Sequence, residues 1–135
     1  MLGQKFTEEQ GRVTGRRILE GDDFRYVKME VSFEAQGNVL GIPATDIGTY
    51  TVFARVGDQI YGQGQGIIMT NTGESAIWNG HGVGRMEGSS MVFAFSVAYQ
   101  AAEGKLAPLN SFLGVGEHRA DMDGSIKSTA WEWKA

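Results

Sequence analysis

With 135 residues, twelve basic and sixteen acidic side chains and a net charge of −4, the chain is expected to form a single domain over residues 1–135 that buries roughly two thirds of its unfolded surface. The complete absence of cysteine excludes disulfide frameworks, thiolate zinc sites and cysteine nucleophiles. Arg12, Arg16 and Arg17 are the one basic cluster, so no nucleic-acid partner is expected: a surface that tracks a phosphate backbone needs a broad positive patch with aromatic platforms in it.

The chain begins MLGQKFTEEQ, polar and charged, and no apolar run reaches membrane length. A cytoplasmic protein without a membrane partner is the expectation. Twenty glycines against two prolines is about twice the usual glycine share, and their ordered spacing argues for strand geometry rather than a flexible linker.

No stretch of ten residues has helical apolar spacing, and eight segments have strand character. The first spans about 12–19. After a turn at 21–23 comes 24–34, with Val27, Met29, Val31 and Phe33 on one side and Lys28, Glu30, Ser32 and Glu34 on the other, which is the alternation of a half-buried strand. A short apolar piece at 39–42 runs into Pro43, which cannot donate to a ladder and marks an edge or break. The next strand starts at Gly48 and carries Tyr50, Val52, Ala54 and Val56 on one side. Gly57 and Asp58 turn the chain into two glycine-rich strands, 59–70 and 75–85, joined by a hairpin loop at 71–74.

Residues 91–99 form the most apolar strand, and both of its faces can be covered. KLAPLN at 105–110 has room for one helical turn. A seventh strand follows at 112–120, then a hairpin at 122–125 built on Asp123-Gly124, then a last strand at 126–134 with Trp131 and Trp133 on one face. Eight short-connected strands stack as a sandwich or close on themselves. A closed antiparallel up-and-down barrel is the favoured reading, because closure removes exposed edges and glycine relieves crowding where strands bend. Trp78, Phe93, Phe95 and Trp131 are the rings expected over the bare glycine face.

The two glycine strands share one grammar. Gly62, Gly64 and Gly66, then Gly80, Gly82 and Gly84, fall on every second residue, so each strand has one nearly bare face. Tyr61, Gln63 and Gln65, with Asn79 and His81, occupy the opposite face and are the candidate ligand-binding set. Alternation alone does not say which face is the inside. If the polar row points inward it lines a small-molecule pocket; if outward it is solvated. A nucleotide loop does not fit, since phosphate-binding glycine motifs run into a helix N-terminus and these strings run into more strand.

The string GQGIIMTNTGESAIWNGHGVGR, with KLAPLN and the terminal WEWK, resembles a family of small uncharacterised bacterial proteins similar to allene oxide cyclase-like β-barrels. That resemblance implies an eight-stranded antiparallel barrel that often associates as homo-oligomers. It brings no reaction assignable to particular residues.

His81 and His118 are the only histidines, and neither has companions at metal-ligand spacing, so no metal or other cofactor is expected. His81 is the best candidate for proton transfer, since imidazole changes charge near neutral pH. Glu117 and Arg119 read as a surface ion pair, and Asp121, Asp123 and Ser125 as a hairpin turn rather than a calcium loop. Three functions stay open: a barrel binding a hydrophobic or amphipathic small molecule, a cyclase or isomerase of lipid- or polyketide-like substrates using His81, and a structural homo-oligomer with a filled core.

Overall fold

The two-residue alternation is realised as eight strands, in a computed structural model that describes residues 1–21, 27–54 and 59–135. They are β1 (Leu2–Leu19), β2 (Lys28–Val39), β3 (Ile42–Ala54), β4 (Ile60–Thr70), β5 (Ser75–Glu87), β6 (Ser90–Ala101), β7 (Leu113–Ala120) and β8 (Ser125–Trp133), with a short 3-10 helix, Ala107–Ser111, ahead of β7. Each strand pairs antiparallel with the next, and β1 pairs with β8, so the sheet closes into an up-and-down barrel. The turn expected at 21–23 falls largely outside the described residues, as does the one at 57–58. Among the described residues no helix is long and apolar enough to cross a membrane.

The alternation also orients the strands as read. Val31, Phe33 and Ala35 of β2, Val52 of β3, and Phe93 and Val97 of β6 are buried inside the barrel. The 3-10 helix plugs one end. Leu106, Leu109 and Phe112 pack there against Phe6, Val39 and Ile68; Leu109 is 0 % exposed. At this end β2 turns into β3 through Leu40 and Gly41, whose φ angles of 52° and 78° are both positive, as a tight hairpin requires. Leu40 tolerates this because its side chain packs on the plug.

Four expectations are corrected. β1 starts at Leu2 rather than near Arg12. Its inward positions beyond Phe6 include Thr7, Glu9 and Gly11, and its register slips between Leu2 and Lys5, between Lys5 and Thr7 and between Val13 and Gly15, so polar residues and these irregularities hide the alternation. Pro43 does not break β3. It sits opposite Asn38 near the strand start, beyond the last β3–β4 pair, Ala44 with Thr70, and its carbonyl accepts from the Asn71 N–H at 3.1 Å. Trp131 does not cover the glycines: it pairs with Lys5 and Val115 while its neighbour Ala130 is buried, which places it on the outer wall. The outer face of β6 is not covered either, since Ala94 and Ala98 are exposed.

Candidate functional site

The glycine face of β4 and β5 is the inside. Inward side chains from neighbouring strands fill the space that the missing Cβ atoms leave. A Cβ on Gly66 would lie 2.5 Å from the Trp78 ring and 2.5 Å from the Ile47 carbonyl oxygen, and one on Gly48 would meet Trp78 at 2.5 Å and Phe33 at 2.8 Å. Trp78 therefore lies flat across two glycines. Phe33 stacks on it at 6.3 Å between ring centroids.

Further along the same bare strip the filling stops. A cavity of about 100 Å³ lies against Gly62, Gly64, Gly80 and Gly82, with Gln63 and His81 of the same strands and the aromatic residues Phe33, Phe93, Phe95 and Trp78 also bordering it. One side of it is polar. Asp46 is 6 % exposed, its Oδ1 accepts from the Trp78 indole N–H at 2.8 Å, and it shares a hydrogen bond with the Glu9 carboxyl. Burial, then the nearby Asp46 charge, pushes Glu9 up to about 10. Burial also raises Asp46, against the lowering effect of the Glu9 and Trp78 hydrogen bonds. At neutral pH the pair thus holds a proton, with the Glu9 O–H donating to Asp46.

Tyr99 borders both carboxyls, and burial together with their charge holds its hydroxyl well above the usual range. Thr7 Oγ1 and Ser128 Oγ complete this side. Each hydroxyl already donates to a backbone carbonyl, Thr7 to Asn38 at 2.9 Å and Ser128 to Glu117 at 3.5 Å, leaving lone pairs free.

Ser128 is the cross-strand partner of Glu9 on β1 and of His118 on β7, so the three stand side by side on one rung. His118 is enclosed by Tyr50, Phe33 and Phe93, with centroids at 5.5, 5.9 and 6.4 Å. This desolvation drives its pKa down to about 4, leaving a neutral imidazole whose Nε2 has no hydrogen-bond partner. Burial likewise pushes Tyr50 up to about 12, slightly offset by the positive charge of Arg16.

The candidate row read from the sequence stands on the other side of this wall. Gln63, Gln65, Asn79 and His81 are exposed and Tyr61 is half-buried. The five do come together: Gln63 is opposite His81 and Gln65 opposite Asn79, and the Tyr61 hydroxyl lies 3.3 Å from His81 Nδ1. With Thr49, Thr51 and Ser96 they border a hollow on the outer surface. Only the backbone of the glycine strands separates it from the cavity.

Elsewhere, Arg119 pairs with Glu87 at 3.6 Å on the surface, and Asp121 and Asp123 accept hydrogen bonds from Ser125 within the β7–β8 hairpin. Among the described residues no group of three or more histidine and carboxylate side chains could hold a metal ion.

Glu9, Asp46 and Tyr99 are the site residues that sequence reading misses. Asp46 shares its parity with Gly48, Tyr50 and Val52, so a continuous strand through Pro43 would have placed a carboxylate inside the barrel. Glu9 gave no comparable signal.

No protein-family model matches the chain, and no curated protein matches it. Solved structures do. A conserved protein of unknown function from Rhodopseudomonas palustris superposes with a TM-score of 0.80 at 11% identity, covering 98% of this chain and 97% of that one. A protein of unknown function from Clostridium acetobutylicum gives 0.82 at 8% identity, with 96% of each chain covered. A β-barrel-like protein from Acinetobacter baumannii gives 0.81 at 9% identity, covering 98% of this chain and 94% of that one. At these identities the chain is shown to share their β-barrel fold, over nearly its whole length.

Proposed function

We propose that the protein is a binding barrel that encloses one small amphipathic molecule, its apolar part against Phe93, Phe95 and the bare glycines and its polar end at the Glu9–Asp46 pair. The observation that carries this reading is the position of the cavity. It borders a buried carboxyl pair inside the barrel, next to the packed rings of Phe33, Trp78 and Phe93. Burying ionisable groups beside unfilled space costs stability unless something returns hydrogen bonds or charge to them, and a ligand does both. The size suits a compact molecule, since an engineered apolar cavity of roughly 150 Å³ admits benzene.

His81 borders the cavity between Gly80 and Gly82, but it is exposed and has the outward parity of β5, which does not favour a cyclase acting through its imidazole. The enzyme reading is not carried further.

Thermal denaturation in the presence of short-chain alcohols, amines and small aromatics tests the proposal. A ligand bound only by the native state raises its stability by about 2.7 kcal/mol at a hundredfold excess over Kd. A rise in Tm is expected for wild type and its loss for Gly62→Leu, which fills the cavity. A library that leaves Tm unchanged at millimolar concentration would refute the binding function.

A further inference from the structure

Resting on the binding reading above, we infer that the ligand class is a small protonated amine, its ammonium group held at Asp46. The Glu9–Asp46 side of the cavity is rich in hydrogen-bond acceptors, with the Tyr99 hydroxyl as the donor beside them. Asp46 and Glu9 offer carboxyl oxygens, and the proton on Glu9 is directed at Asp46. Thr7 and Ser128 have committed their protons to the Asn38 and Glu117 carbonyls, so each turns only lone pairs to the cavity. The Trp78 N–H is already taken by Asp46. A ligand meeting these groups must bring donors, and an ammonium brings three.

Charge points the same way. Among the described residues no lysine or arginine contributes to the shifts of Glu9 or Asp46, and the Arg16 charge acts on Tyr50 instead. A buried carboxylate without a counter-charge is costly, and a cation entering beside it is favoured. The other walls suit one as well: the aromatic residues Phe33, Phe93 and Phe95 border the same space, and aromatic rings attract ammonium groups. The unpartnered His118 Nε2 is an independent sign that the interior is incomplete as it stands, and a neutral imidazole adds no repulsion to an incoming cation.

The test is a titration of wild-type protein at neutral pH with n-propylammonium, 1-propanol and propionate, three probes of equal length and different charge, followed by calorimetry and by the NMR signal of the Trp78 indole N–H. Propylammonium is expected to bind at least tenfold more tightly than propanol, with propionate weakest, and to shift the Trp78 signal. Asp46→Asn is expected to bring ammonium and alcohol to within about twofold, whereas Met69→Ala on the outer wall, away from the cavity, should change neither. Propanol or propionate binding as tightly as the amine would overturn the inference while leaving the binding barrel intact. So would an amine preference that survives in a folded Asp46→Asn protein, or one lost in Met69→Ala. Silence from all three probes would remove the binding reading itself. If Asp46→Asn does not fold, the ranking of the three probes on wild type decides.

Discussion

Two buried groups give the stability of this protein a pH optimum with identifiable limbs. Glu9 stays protonated in the fold up to about 10 against an ordinary 4.5, so the native state keeps a proton that the unfolded chain releases. Its contribution is complete below pH 4.5 and is lost as pH rises towards 10, with Asp46, also raised, adding in the same direction. His118 does the opposite. Depressed to about 4 from an ordinary 6.5, it favours the fold fully above pH 6.5, and this contribution is lost as pH falls towards 4. One fully shifted group changes stability by at most about 1.4 kcal/mol per pH unit. Urea denaturation from pH 4 to pH 9 should therefore show Glu9→Gln flattening the alkaline limb and His118→Phe flattening the acid limb. If both limbs survive both substitutions, these residues do not set the titration.

At the scale of the strand, Gly48 of β3 and Gly66 of β4 admit Trp78. Gly66→Ala puts a Cβ 2.5 Å from both the Trp78 ring and a backbone oxygen, and overpacking of this kind costs roughly 1–3 kcal/mol. Gly15→Ala, with nothing within 4 Å, is the matched control and should be close to neutral. Near-UV circular dichroism should change only for Gly66→Ala, because the indole must move. These strands were legible because their alternation is clean: Val31 with Phe33, Phe93 with Val97, and glycine at every second place each give the period directly. Which side faced in was not legible for β4 and β5, since neither face is rich in large apolar residues and the Tyr61 to His81 row is as regular as the glycines. The carboxyl pair stayed hidden for a different reason. Glu9 lies in a strand whose neighbouring inward residues are polar or glycine and whose register slips three times, and Asp46 follows a proline that reads as a break although the β2 ladder continues past it.

Across the whole molecule, closure depends on β1 meeting β8, a pairing between opposite ends of the chain that covers Leu2 with Trp133 through Arg12 with Ser125. Long-range pairing of this kind is slow to form and protects two edges at once. Deleting residues 2–11 would uncover β8 and much of β2 and remove Phe6 from the plug. The shortened chain is expected to scatter light and sediment as aggregates where the intact one does not; a soluble deletion variant with a cooperative transition would mean that the remaining strands close without it. The cavity, in turn, is shaped by atoms that are missing rather than by side chains that fold back from it. A methyl group on Gly62 would meet the Phe93 ring at 3.1 Å, a side chain able to give by a few tenths of an ångström, whereas one on Gly80 would meet the Ser96 backbone oxygen at 3.0 Å before the Val97 Cβ at 3.4 Å and fits less readily. The capacity of such a barrel can then be reset one methyl at a time, by single-codon changes that leave every strand pairing in place. Barrels as alike in backbone as this one and its structural neighbours, yet only 8% to 11% identical in sequence, are free to differ in the space they enclose.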